Sequence, residues 1–383
     1  MSIRNHRSVS WRGRATIVLL ALAASISGLG NGFAYDDRPV ILRNGRLHHI
    51  LHVGRLWAQT YWPPSMGAAL YRPITMTAFS LEWWAGHGAP WVFHVACIAL
   101  YVLACLLVFW LASLVLTHNA AWLAAALFAV HPVHVEAVAN VVGQSELWAA
   151  CGVVAAVALY IRFRRAAIEL MIARPSADPA WQTSAVGGVW PAVAVGALVI
   201  GACLAKEHAV VTPALLLAAE LLLVQDPRPW MARVRALRPY ALALSAAVLG
   251  YVVVRSQVVG AVTGDRVNVI LEHLSPAGRR WTMLGVAGDW ARLLTWPSRL
   301  VVEYAPREVV LYDHFAWGLI PIAALLLLLG LLTVNSIRRW PAGAFALIWM
   351  CVTLLLVSNL VVPTGVLLAE RTLFLPSVGI VLL

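Results

Sequence analysis

The chain is 383 residues long, 61% hydrophobic and only 12% charged, with a mean hydropathy of +0.80. Such a composition excludes a soluble globular protein and indicates a polytopic membrane protein. The net charge of +11 sits in short clusters between apolar runs, where it sets topology; nucleic-acid binding would need it gathered on one soluble module.

Residues 1–14 carry Arg4, Arg7, Arg12 and Arg14 without an acid, and an apolar run follows from Ala15 to about Ala34. A charged start before an apolar run also describes a secretory signal peptide, and the small residues of 23–30 offer a cleavage site. The run's continuation almost to Asp36 favours a retained helix. Tyr35-Asp36-Asp37-Arg38 comes next. An Asp at the bilayer centre costs about 2.5–3.5 kcal/mol on insertion scales, so two carboxylates just outside the core point to a function at the interface. The alternative is an ordinary solvated loop charge.

The stretch from Asp37 to Pro90 mixes Arg38, Arg43, Arg46, Arg55 and Arg72 with Trp57, Tyr61, Trp62, Trp83 and Trp84, as at a membrane interface. Residues 70–84 are predicted to form a helix lying on the bilayer surface. Apolar runs at 91–116 and 120–130 precede a polar patch, His131-Pro132-Val133-His134-Val135-Glu136, which continues through Asn140 and Gly143-Gln144-Ser145-Glu146. Further crossings are predicted at 147–163, 189–205, 209–224, 240–259, 316–334 and 343–362, with a last run interrupted by Glu370-Arg371. Residues 281–302, broken by Asp289, Arg292, Pro297 and Arg299, read as re-entrant or interfacial. Cys97, Cys105, Cys151, Cys203 and Cys351 fall inside predicted helices as small apolar residues, without a disulfide framework or a zinc site.

Alternation of these runs puts the arginines of 4–14, 162–174, 228–238 and 338–339 on the cytoplasmic side, as the positive-inside rule requires. It puts Asp36-Asp37, the 131–146 patch, Lys206-Glu207-His208 and Glu370-Arg371 together on the external face. Nucleotide sugars and ATP are absent there, so group transfer needs a lipid-borne donor. Phosphate recognition would draw on Lys206, the sole lysine of the sequence, with Arg371, Arg72 and a histidine, and a carboxylate of Asp36-Asp37 would act as base.

Each motif also has a plainer reading. His131-x-x-His134 with Glu136 lacks the zincin spacing and can be a helix end with interfacial histidines. Lys206-Glu207-His208 can be a charge-balanced turn. Glu370-Arg371, inside a largely apolar segment, satisfies its cost either as a structural ion pair or as a ligand contact.

Taken in order, Tyr35-Asp36-Asp37, Tyr71-Arg72-Pro73-Ile74-Thr75, His131-Pro132-Val133-His134-Val135-Glu136-Ala137-Val138, Lys206-Glu207 and Ala369-Glu370-Arg371-Thr372-Leu373-Phe374-Leu375-Pro376-Ser377 resemble the transmembrane, tetratricopeptide-repeat O-mannosyltransferases and their bacterial relatives. The likeness runs through nearly the whole chain, and the 131–138 and 369–377 stretches are its specific parts. It implies an all-α GT-C glycosyltransferase fold over residues 1–383 with about ten to eleven transmembrane helices. A long first external loop (34–90) would hold the essential Asp, and an external or re-entrant segment would span 260–315. The implied donor is a polyprenyl-phosphate sugar, mannose on dolichyl phosphate in eukaryotic relatives, passed with inversion to Ser or Thr of a protein.

Carried onto this chain, the resemblance makes Asp36 the base and Asp37 its neighbour or alternative. His131, His134, Glu136, Lys206, Glu207, Glu370 and Arg371 would line the donor and acceptor site, and Arg72 and His208 join them from the residue reading. No metal ligand and no cofactor is expected, a divalent ion at the first-loop Asp being the alternative. The expected partners are the lipid-linked donor, a protein acceptor and membrane lipids, in a bacterial inner membrane with the N-terminus cytoplasmic and the site periplasmic. Two features depart from the family: Gln144 stands where Arg is frequent, and the sequence stops at Leu383 inside a membrane run, before any tetratricopeptide repeat. The other readings are a transporter or flippase of a lipid-linked substrate, which would place charges near the midplane on broken helices, a GT-C enzyme acting on a lipid or glycan, and a non-catalytic scaffold.

Overall fold

In lipid the backbone must satisfy its own hydrogen bonds, so long apolar runs become helices. The computed structural model, which describes residues 11–67, 70–173, 188–261, 269–304, 308–360 and 364–383, is an all-α polytopic membrane protein. Arg4, Arg7 and Arg174, and parts of the 260–315 segment, lie outside the described residues. The helices are α1 (Trp11–Ser25), α2 (Pro73–Gly86), α3 (Pro90–Val115), α4 (His118–Ala129), α5 (Val135–Ala139), α6 (Gln144–Ala173), α7 (Val189–Ala205), α8 (Thr212–Leu222), α9 (Trp230–Val259), α10 (Val269–Glu272), α11 (Pro276–Thr295), α12 (Ile320–Arg339), α13 (Pro341–Val357) and α14 (Phe374–Leu382).

Among the described residues, five stretches are long and apolar enough to cross a membrane: Trp11–Gly30, Pro90–Val115, Val141–Ala173, Trp230–Val259 and Trp317–Arg339. His118–Ala129 with Pro132–Ala139 makes a sixth if the 49° bend between them belongs to one span. The shorter apolar helices α7 and α13 have 17 residues each, roughly 26 Å at 1.5 Å per residue. The expected ten to eleven crossings thus include runs that polar motifs cut short. His131-Pro132, Lys206-Glu207 and Glu370-Arg371 each lead into a 3-10 turn, at Pro132–His134, Glu207–Val211 and Glu370–Leu373. Pro132 has no N–H to continue a ladder, and the charged pairs take their backbone out of the apolar run.

The main core lies where α6 packs against α3 and α7, with α9 on the far side of α7. Small residues let these helices approach closely. A Cβ added to Gly152 on α6 would stand 2.8 Å from the Cβ of Ala202 on α7. A second core forms under the first loop, where Val40, Ile41, Leu47, Leu56 and Tyr61 pack on Met76 and Phe79 of α2, Phe93 of α3, and Val141-Val142. The loop expected from its amphipathic composition is therefore a folded layer, and α2 buries Pro73, Thr75, Met76, Phe79 and Ser80. α11, which overlaps residues 281–302, falls outside the set of long apolar helices and lies beside α12. All five cysteines are free; Cys351 is exposed and the others are buried.

At the far end of α6 from Gln144, Arg164 is fully buried. Its guanidinium bonds Glu220 at 2.9 and 3.1 Å and Asp226 at 2.8 Å, and Tyr160 donates to Glu220 at 2.9 Å. Arg164→Met would leave two carboxylates without this partner, and breaking a buried pair on one side costs about 3–5 kcal/mol. A clear fall in melting temperature of the detergent-solubilised protein is expected, and an unchanged midpoint would contradict the assignment.

Candidate active site

The first-loop carboxylates are separated by the backbone that carries them. Tyr35 sits in the left-handed region at φ 43°, which is uncommon for a residue with a Cβ. The turn it opens is closed by bonds from the N–H of Asp37 to Ala34 O and of Arg38 to Tyr35 O. Asp37 is fully buried. Its Oδ1 accepts the N–H of Val142 at 2.8 Å, and its Oδ2 accepts those of Ala34 at 3.1 Å and Val141 at 3.4 Å. Burial pushes the Asp37 carboxyl up to about 6 against the lowering effect of those N–H groups. Asp37 thereby staples the first loop to the turn before α6. That turn needs Gly143, where a Cβ would lie 2.4 Å from the carbonyl oxygen of Ala137.

Asp36 keeps 39% of its side chain exposed and places Oδ2 3.7 Å from Nη2 of Arg371. Arg371 comes from the 3-10 turn ahead of α14 and is held by Glu136, whose Oε2 accepts its backbone N–H at 2.8 Å and whose Oε1 accepts Nη1 at 2.9 Å. Residues 36, 136 and 371, far apart in sequence, thus form one chain of charges. The neighbouring Glu370 turns the other way. Its Oε1 accepts the N–H of Val301 at 2.7 Å and the Tyr304 hydroxyl at 2.8 Å, and burial raises its carboxyl. Glu370→Ala would strip both donors of their acceptor, a loss of about 1–3 kcal/mol, and is expected to speed hydrogen exchange at the Val301 amide.

A second group of charges lies across the turn between α7 and α8. Lys206 Nζ donates to Glu146 Oε1, and His208 Nε2 stands 3.4 Å from Glu146 Oε2 without hydrogen-bond geometry. Burial pushes the Lys206 ammonium down, with Glu146 opposing. Arg72 meets Glu207 in a bidentate pair at 2.6 and 2.9 Å. Burial pushes Glu207 up, but Arg72 outweighs it and holds the carboxyl well below its usual range. The Tyr61 ring lies beneath the Arg72 guanidinium at 5.0 Å. Its buried hydroxyl has no hydrogen-bond partner among the described residues.

The histidines of the 131–136 motif look into the protein. His131 accepts the Val133 N–H at Nδ1 (3.3 Å) and donates from Nε2 to Leu294 O (3.1 Å). His134 is buried, with Nδ1 3.1 Å from the Tyr101 hydroxyl and Nε2 2.8 Å from Ser377 Oγ. Gln144 donates to Glu82 Oε2 at 3.2 Å and accepts from Trp148 Nε1 at 3.2 Å. Burial pushes Glu82 up to about 8. Among the described residues no group of three His, Cys, Asp or Glu side chains is arranged to hold a metal ion.

The predicted residues therefore separate into an accessible pair, Asp36 and Arg371 with Glu136 behind, and a set engaged within the fold, in which His208 Nε2 alone is buried without a hydrogen-bond partner among the described residues. Sequence reading left out two members. Glu146 lay in the same polar patch and carried a signal; Tyr61 read only as an interfacial aromatic, and nothing in its spacing pointed to Arg72.

No protein-family model matches the chain, and no solved structure matches it significantly. Curated proteins do. The chain is 27% identical to the mouse protein named "Protein O-mannosyl-transferase TMTC3" over 98% of its own length and 42% of that protein. It is 25% identical to the Caenorhabditis elegans "Protein O-mannosyl-transferase F38B6.6" over 98% of itself and 51% of that protein. It is 40% identical to the Drosophila melanogaster "Protein O-mannosyl-transferase Tmtc2" over 34% of itself and 15% of that protein. The chain thus spans between two fifths and half of the length of the relatives that it matches nearly end to end.

Proposed function

We propose that this chain, related along nearly its whole length to proteins named protein O-mannosyl-transferases, transfers mannose from a polyprenyl-phosphate donor to a Ser or Thr hydroxyl of a protein. The reaction takes place on the membrane face opposite the N-terminus. The observation that carries the reading is the division of labour between the two first-loop carboxylates: Asp37 is consumed by backbone N–H groups, whereas Asp36 is accessible and opposite Arg371.

Asp36 takes the proton of the acceptor hydroxyl as its oxygen attacks the anomeric carbon. The bond between that carbon and the phosphate oxygen breaks with inversion, and the polyprenyl phosphate leaves with the electron pair. Arg371 meets the charge that develops on the phosphate, because it is more exposed than Arg72 or Lys206. Glu136 fixes Arg371 through its backbone and side chain together. Lys206, Arg72 and their carboxylates form the rigid wall behind.

A groove of about 710 Å³ between α11, α12 and α13 supports a lipid-borne donor. Met283, Leu284, Leu325, Leu329 and Leu354 line it, so its chemistry suits an isoprenoid chain. Leu294 lines the groove and its carbonyl accepts from His131, which ties the groove to the 131–136 motif.

The test is transfer of labelled mannose from polyprenyl-phosphate mannose to a Ser/Thr peptide by the purified chain in nanodiscs. Product formation that depends on Asp36 is expected; no transfer, or equal transfer by Asp36→Asn, refutes the proposal.

A further inference from the structure

The 3-10 helix Ile50–Ala58 in the first loop is nine residues long, well beyond the usual three or four. With three residues per turn, side chains at i and i+3 eclipse, so such a helix has three distinct edges. Ile50, Val53 and Leu56 form the inward edge, Leu56 being buried and the other two partly so. The preceding residue His49, with His52 and Arg55, forms a second edge on which all three side chains are exposed, and the rings of His49 and His52 lie 5.8 Å apart. Leu51, 93% exposed, and Trp57, 42% exposed, stand on the third.

This surface is built into the loop. The Trp57 carbonyl accepts the Tyr71 hydroxyl at 2.8 Å, and its indole donates to Thr77 Oγ1 of α2 at 3.2 Å. Arg46 bonds the Thr60 and Tyr61 carbonyls at 3.2 and 3.5 Å. From Arg38 to Leu81 the sequence holds five arginines and no Asp or Glu. Among the described residues Arg55 has no carboxylate partner, and the stretch from Arg38 to Leu81 has none to offer it.

We propose that the His49, His52 and Arg55 edge docks an acidic stretch of the acceptor polypeptide next to the hydroxyl that receives the sugar, with Leu51 as the apolar anchor beside it. The inference rests on the transferase reading above and names its acceptor class. A polypeptide whose hydroxyl reaches Asp36 runs over the loop that Asp36 opens, and this edge supplies positive charge there that no carboxylate among the described residues neutralises. An anionic bilayer surface shares the charge but has no such tie to Asp36.

The experiment compares two Ser/Thr peptides of equal length, one flanked by Glu and one by Lys, with the full chain in zwitterionic nanodiscs. The Glu-flanked peptide is expected to have a kcat/KM about tenfold higher at low salt, carried by KM, with the difference shrinking at high salt. His52→Glu with Arg55→Glu should bring the ratio to about one or invert it, and the milder Arg55→Gln should give an intermediate ratio, which guards against a folding effect. Equal constants for the two peptides, or an unchanged ratio in the variants, overturn the docking edge. A ratio near one accompanied by variant-dependent binding to anionic vesicles assigns the edge to lipid and also overturns it. Anisotropy with the same labelled peptides separates the two readings: charge-dependent binding without transfer refutes the transferase and keeps the edge, while transfer without charge dependence does the reverse.

Discussion

Replacing Asp36 by asparagine is expected to lower the turnover of sugar transfer by roughly 10²–10⁴-fold, the usual worth of a positioned base, while the melting temperature hardly moves. The carboxylate is partly exposed and its one ionic neighbour, Arg371, stays bound by Glu136. Little of the fold depends on it. Asp37→Asn is expected to behave in the opposite sense. An amide can accept on one side only, so one of the two oxygen positions would present N–H groups to the backbone N–H of Ala34 and Val141 or to that of Val142. A buried donor left unpaired costs about 1–3 kcal/mol, and the loss appears in the melting curve before it appears in the chemistry. Parallel assays of turnover and melting for the two variants decide the assignment; a stable, inactive Asp37→Asn beside an active Asp36→Asn would reverse it.

Asp37 also gives a pH dependence of definite sign. Its carboxyl is raised from 3.8 to about 6 in the folded protein, so between those values the native state binds more protons than the unfolded one. Stability from this group is complete below about pH 4 and is lost as the pH rises through about 6. Melting temperatures across that window are expected to fall with pH in the parent chain and to lack this component in Asp37→Asn.

The second large effect is expected at Lys206. Lys206→Met removes the ammonium from a buried Glu146 and leaves His208 as its neighbour at ion-pair distance, with the Arg72 guanidinium, already paired to Glu207, farther off. An uncompensated buried carboxylate costs about 3–5 kcal/mol. Joining Lys206→Met with Glu146→Gln removes the charge that was stranded, so the double variant should recover most of the lost stability. A double variant that melts at the sum of the two single losses would show that the pair is not coupled. Transfer activity in the double variant is a separate readout, and its recovery would mean that Lys206 serves the wall of the site and leaves the phosphate to Arg371.

The all-α membrane class was legible in hydropathy alone, because bilayer burial demands long apolar helices and leaves a run of that length in the sequence. Helix positions are legible in part: 189–205 matches to the residue and 91–116 is observed as Pro90–Val115, whereas 147–163 extends to Gln144–Ala173 and 240–259 to Trp230–Val259, because arginine-bearing turns continue both helices beyond the apolar run. The count of crossings was less legible. A window of apolar residues does not distinguish a full span from a short helix that ends at a proline or a charge pair, as α4 does ahead of His131-Pro132 and α7 at Lys206-Glu207.

The carboxylate pair, the 131–136 motif, Lys206-Glu207 and Glu370-Arg371 could be picked out from the sequence because charged residues beside apolar runs are costly and few. Their roles could not. Asp36 and Asp37 are identical and adjacent in sequence, and only the left-handed turn at Tyr35 together with the approach of Val141-Val142 makes one a staple and leaves the other an accessible carboxylate. Likewise Glu136, Arg371 and Asp36, or Lys206 and Glu146, become partners through contacts between distant segments. By itself the sequence determined where charge stands against lipid, a matter of local composition. Only the tertiary structure decided which charge neutralises which, because that depends on which helix ends meet and which carboxylates the backbone has already claimed.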